Sequence, residues 1–153
     1  MKHSYRCDEI FIFEILQFNY ILIAVMKAFN LFFFLIFIIS AVLQYNDPDP
    51  FLWILLYLYG ALWCFLATKN IFNLKAYVVG IVIYLAYAIY LFFDETGVLS
   101  WFYEHNAENI VQSMKATKPW IEETREFGGL ILLIIALLTN LLYYRKKKSD
   151  KVK

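Results

Sequence analysis

The sequence predicts an all-α integral membrane protein, a four-helix bundle with an additional amphipathic helix on its outer surface. Three observations carry that expectation. Hydrophobic residues make up 62% of the 153-residue chain and charged residues 18%, whereas a soluble domain averages about half apolar and about a quarter charged. A soluble chain this short has too large a surface for its volume to bury so much apolar area. Four separate apolar segments each approach the roughly 20 helical residues that cross a hydrocarbon core of about 30 Å.

The four segments run over residues 28–45, 51–68, 76–93 and 127–144. Each is apolar all round, the pattern of a helix facing lipid or neighbouring helices rather than water. Short alternating segments of the kind a membrane barrel needs do not occur. Residues 1–25 fit less well. The stretch 10–25 is apolar but is interrupted by Glu14, Gln17 and Asn19, and Met26-Lys27 has the look of a start in its own right. We read 1–25 as an N-terminal extension, with a weak extra span or an interfacial helix as the alternative. It does not read as a signal peptide, because no small-residue cleavage site follows. Residues 26–145 then form the four-span domain, and 146–153 form a basic tail.

Orientation follows from basic residues in short connections. Lys27, Lys69, Lys75 and the cluster Arg145, Lys146, Lys147, Lys148 fall on one side of a four-span chain. Asp47, Asp49, Asp94, Glu95, Glu104, Glu108, Glu122, Glu123 and Glu126 fall on the other, together with Lys115, Lys118 and Arg125. The basic side, with the C-terminus, is expected in the cytosol of a bacterial inner membrane or plasma membrane. Trp101, Trp120, Tyr143 and Tyr144 sit where interfacial aromatic belts are expected. A net charge of +1 gives no reason to expect nucleic acid. Cys7 and Cys64 are the only cysteines and suggest no disulfide framework.

The first outer connection, Asn46-Asp47-Pro48-Asp49-Pro50, forces an antiparallel hairpin. Asp49 and Pro50 suit the N-cap and first position of the next helix. The second, over residues 94–125, is long enough to carry structure of its own. Val98, Phe102, Ile110 and Met114 recur near helical spacing, which predicts a surface helix. Pro119 then opens the last helix, whose first turns carry Glu122, Glu123, Arg125 and Glu126. Acids there suit the positive end of the helix dipole, so a solvated helix start accounts for them. The sharper reading joins Asn46, Asp47 and Asp49 to Glu122, Glu123, Arg125 and Glu126 as an outer-surface site, binding or catalytic, for a cation, an amine or a lipid headgroup, with Arg125 holding its geometry. His105, near Glu104 and Glu108, is one histidine where a zinc site usually has three protein ligands. No metal or cofactor is expected.

Within the spans, Gly60 with Cys64 and Ala76 with Gly80 are pairs of small residues four apart, the spacing that lets helices approach in lipid. Tyr77, Tyr84 and Tyr87 fall on or near one face of the third span, placed to bond across helices, with Tyr87 and Tyr90 alternatively placed to reach the outer headgroups; Ser40, Gln44 and Asn140 are further polar groups. No ionisable side chain sits mid-span, which argues against a proton-coupled carrier. Without a catalytic constellation, the leading expectation is a protein acting through contacts with a membrane-protein partner or a second copy, in addition to lipid. A small transporter or channel subunit is a further alternative that four spans would satisfy only as an oligomer.

The motif Gln44-x-Asn46-Asp47-Pro48-Asp49-Pro50, followed by Trp53 and Tyr57, resembles the signature of the transmembrane protein 220 family. Glu122-Glu123-x-Arg125-Glu126 followed by Gly129-Leu130 resembles the start of that family's last helix. The resemblance covers residues 26–144 and departs over the first 25. It implies a small multi-span helical membrane protein and no particular reaction.

Overall fold

The structure is a computed structural model that describes residues 2–46, 49–111 and 118–150. Among these residues the protein is all helix. Helix α1 spans Lys2–Leu43 and runs into a short 3₁₀ turn, Gln44–Asn46. Helices α2 (Pro50–Thr68) and α3 (Leu74–Phe93) follow, then the six-residue α4 (Val98–Tyr103) and the long α5 (Pro119–Asp150). Four helices are long and apolar enough to cross a membrane; in α1 the qualifying stretch is Gln17–Leu43. The helix over α1 continues without a break from Lys2 through Met26.

Packing pairs α1 with α2 and α3 with α5, and α2 touches α5 to join the two pairs. Periodicity could not foretell the buried faces, because each span is apolar on every side. In α1, Asn30, Phe37 and Ala41 are buried while Phe32, Leu35 and Ile39 are more than half exposed in the isolated chain. The second set lies on the outer side of the bundle. In α5, Ile121, Leu130, Leu133, Ala136, Leu137 and Asn140 are all fully buried.

Consecutive helices α2 and α3 bring their backbones close at only a few points. Aromatic rings fill the space between them. Tyr59 on α2 donates its hydroxyl to the Ala76 carbonyl at 2.8 Å; from α3, Tyr77 donates to Trp63 O at 3.1 Å and Tyr84 to Leu56 O at 2.8 Å. A helical carbonyl has a spare lone pair, so each tyrosine is satisfied without breaking the ladder. Such interhelical bonds in a membrane average about 0.6 kcal/mol. Two of the three donors, Tyr77 and Tyr84, lie on the face that the sequence marks for cross-helix bonding.

The connection from α2 to α3 is fixed by backbone chemistry. Asn70 takes the left-handed conformation (φ 58°). Its amide donates to Ala67 O and the Ile71 amide donates to Leu66 O, both at 3.0 Å. This is a Schellman cap, with asparagine at the position glycine usually takes. Asn73 then caps α3, its side chain accepting from the Ala76 amide at 3.3 Å.

The small residues named from sequence pack inside the chain. A Cβ at Gly80 would lie 2.6 Å from Tyr59 Cε1 and 2.9 Å from Leu137 Cδ1. One at Gly60 would collide with Leu133 and press on Phe37. Cys64 is fully buried, and Ala76 presents its carbonyl to Tyr59.

Helix α4 is shorter than the spacing of Val98, Phe102, Ile110 and Met114 suggests. It ends at Tyr103, and Asn106 (φ 49°) and Ala107 (φ 51°) turn the chain back. Ile110 is therefore outside the helix, and Met114 lies outside the described residues.

Candidate functional site

Two short sequences position the acidic end of the bundle. Asp49 occupies the N-cap position of α2, with Pro50 in the first turn, as the sequence suggests. Its side chain makes no capping hydrogen bond, however, at a backbone of φ −116°, ψ 57°. Asp49 also lines a cavity of about 300 Å³ between α2, α3 and α5. Helix α5 contributes Glu122, Glu123 and Glu126 to the same cavity, together with Pro119. Residues 122 and 126 are one turn apart and residue 123 is adjacent, so one helical face presents all three. Tyr87, Tyr90 and Leu91 of α3 form the remaining wall. The rings of Tyr87 and Tyr90 lie nearly parallel, centroids 6.0 Å apart, and Tyr87 rests on the buried Trp53 at 5.5 Å.

The turn between α3 and α4 closes over Glu123. Thr96 Oγ1 lies 2.5 Å from Glu123 Oε1 and 3.4 Å from Asp94 Oδ2, so its one proton goes to Glu123. The second Glu123 oxygen, Oε2, is buried and has no hydrogen-bond partner among the described residues. Gly97 makes the turn possible, because a Cβ there would strike the Leu91 carbonyl.

The remaining outer connection is pinned to the start of α5. His105 stacks flat on Trp120, with centroids 3.5 Å apart and planes within 6°. Lys118 Nζ sits 5.1 Å from the centre of the same Trp120 ring and pairs with Glu108 at 2.7 Å. Lys118 holds the Glu108 carboxyl below its usual range. Trp101 Nε1 donates to the Glu108 carbonyl at 2.8 Å. His105 is thus a half-buried stacking residue, neither freely solvated nor grouped with two further metal ligands among the described residues. Replacing Trp120 by leucine removes the stack, a contact of about 0.5–1.5 kcal/mol beyond its area. The expected result is faster amide hydrogen exchange over residues 104–111 with the spans unchanged.

Of the residues singled out from sequence, Asp49, Glu122, Glu123 and Glu126 share the cavity. Arg125 is half-buried on α5 but is not among the cavity-lining side chains. Asn46 ends the 3₁₀ turn, and Asp47 lies outside the described residues. The sequence does not single out Thr96 as a partner for Glu123; Tyr90, expected with Tyr87 to reach towards the outer headgroups, lines the cavity. A threonine two residues after Asp94 carries no signal until the turn brings it to α5.

The two separated motifs meet in space. Trp53 and Tyr57 are buried in the core beside Leu130, and a Cβ at Gly129 would strike the Tyr57 hydroxyl. A family model described as "Transmembrane family 220, helix" matches residues 36–142, a stretch that contains both motifs and all four carboxylates of the cavity. No curated protein and no solved structure matches the chain.

Proposed function

The chain belongs to transmembrane family 220, and we propose that this multi-span membrane protein binds an ammonium-bearing molecule in the acidic cavity. The observation that carries the reading is the convergence of four carboxylates from two helices on one 300 Å³ cavity with a tyrosine wall. Among the described residues no three acids close on a point where a metal ion would sit. An ammonium group matches the donors and acceptors better. It offers only donors, carboxylates offer only acceptors, and an aromatic face adds attraction of about 0.5–1 kcal/mol at exposed sites.

The cavity faces outward in this reading, since Lys69, Lys75 and the cluster after Tyr144 favour the cytosolic side. The ammonium group then comes either from a lipid headgroup or from a free amine. A role based on partner contacts would need a surface other than the small residues first considered, because Gly60, Cys64 and Gly80 face the chain's own side chains.

The test uses the full chain in phosphatidylcholine nanodiscs. Free ethanolamine is titrated in one arm, and phosphatidylethanolamine is included in the disc in the other. Glu122→Gln with Glu126→Gln is expected to weaken binding by about thirtyfold, the equivalent of roughly 2 kcal/mol for two charge-assisted contacts. Binding in only one arm assigns the source of the amine. Absence of binding in both arms, or equal affinity in wild type and variant, would sink the reading.

A further inference from the structure

We infer that the opposite, basic end of the bundle holds a phosphate-bearing anion in a second cavity, built between the α2–α3 connection and the last turns of α5. The cavity is also about 300 Å³ and is lined by Asn70, Phe72, Tyr144, Lys147 and Lys148. Its described lining has two ammonium groups and no carboxylate, the reverse of the acidic end.

Three features make it a formed site rather than a loose tail. The Schellman cap fixes Asn70 in its left-handed conformation, so the direction in which its side chain leaves the backbone is set by backbone bonds. Lys147 Nζ donates to Asn70 Oδ1 at 3.0 Å, which holds the ammonium at the cavity wall and leaves two of its three N–H donors for a ligand. Phe72 and Tyr144 stack with centroids 4.9 Å apart and planes within 20°, giving an apolar side to the same space. A lysine fixed by an uncharged amide keeps its full charge for the ligand, whereas a carboxylate partner would have cancelled it.

The depth of the cavity suggests which anions reach it. Phe127 to Tyr144 spans about 27 Å at 1.5 Å per residue, close to one hydrocarbon thickness. Tyr144 therefore lies near the headgroup layer, and Lys147 and Lys148 lie one turn beyond it, level with lipid phosphates. The stacked rings would meet the glycerol and upper acyl region of a lipid while the two lysines meet its phosphate. An inorganic or organic phosphate arriving from the aqueous side offers the same anionic oxygens.

The experiment purifies the full chain from phosphatidylcholine nanodiscs doped with phosphatidylglycerol and counts retained lipid by mass spectrometry. Inorganic phosphate is titrated against the chain in pure phosphatidylcholine discs in parallel. Lys147→Gln with Lys148→Gln is expected to lower retention of the anionic ligand roughly tenfold or more, on the scale of about 1 kcal/mol per basic residue near a membrane surface. Arg145→Gln with Lys146→Gln removes the same charge from exposed positions outside the lining, and is expected to retain the ligand. Lys147→Arg with Lys148→Arg keeps the charge and tests whether Gln acts through misfolding. Retention of phosphatidylglycerol assigns a lipid; saturable binding of inorganic phosphate alone assigns a free anion. Equal losses in the two glutamine variants would reduce the effect to diffuse attraction by the basic tail and overturn the proposal, as would the absence of any bound anion in both arms.

Discussion

Replacing Gly80 by leucine is expected to destabilise the bundle by roughly 3 kcal/mol, near the upper end for overpacking a filled core. The space beside Gly80 holds Tyr59 Cε1 and Leu137 Cδ1, at 2.6 and 2.9 Å from the position of a first side-chain carbon. Neither can yield cheaply. Tyr59 is tethered by its hydroxyl to Ala76 O, and Leu137 is fully buried between helices. A leucine there would push α3 from α2 and α5 together and break the Tyr59 bond. Unfolding of the purified variant in mixed detergent, followed by circular dichroism against SDS mole fraction, reads the loss. An unchanged midpoint would show that α3 packs differently.

The second large effect concerns a polar pair in the apolar interior. Asn30 of α1 and Asn140 of α5 exchange two hydrogen bonds, Nδ2 to Oδ1 at 2.8 Å in one direction and 2.6 Å in the other. Both residues are at most 2% exposed, and Asn30 also donates to Met26 O at 2.8 Å. Substituting leucine for Asn30 alone leaves the Asn140 amide buried without its partner, at a cost of about 1–3 kcal/mol. The double variant Asn30→Leu with Asn140→Leu removes both polar groups and is expected to recover most of that cost. A double-mutant cycle on the same detergent titration measures the coupling. Strict additivity would mean that the two amides do not bond to each other in the membrane. The pair's role follows from packing: α1 has its main contact with α2, so Asn30 ties α1 to the far side of the bundle.

The two ends of the molecule now have opposite chemistry for stated reasons. Asp49, Glu122, Glu123 and Glu126 converge because the hairpin before α2 and the first turns of α5 end at the same level. Lys147 and Asn70 meet because the α2–α3 connection and the end of α5 do the same at the other end. On the two proposals above, a membrane spanned by such a bundle would present a site for cations on one face and a site for anions on the other. Each is testable without the other.

The legible part of the site was the part written as local chemistry. Asp49-Pro50 announced a helix start, and Glu122, Glu123 and Glu126 announced an acidic first turn. What Asp49 does with its carboxylate was not legible. A capping role and a cavity role use the same residue at the same helix position, and only its neighbours from α3 and α5 decide between them. His105 was equally ambiguous until Trp120 was seen stacked on it.

By itself, the sequence determined that this chain is helical and lives in lipid, where four apolar stretches sit and on which sides the charges gather. Those properties depend on residues close together in the chain and on transfer from water to hydrocarbon, which acts on each segment alone. Only the tertiary structure decided which faces of the spans are buried, that Gly80 meets Tyr59, that Asn30 meets Asn140, and that two cavities of opposite charge open at the two ends. A helix apolar all round has no preferred face until its neighbours are placed, because lipid and protein interior are equally apolar and only packing and buried polar pairs tell them apart.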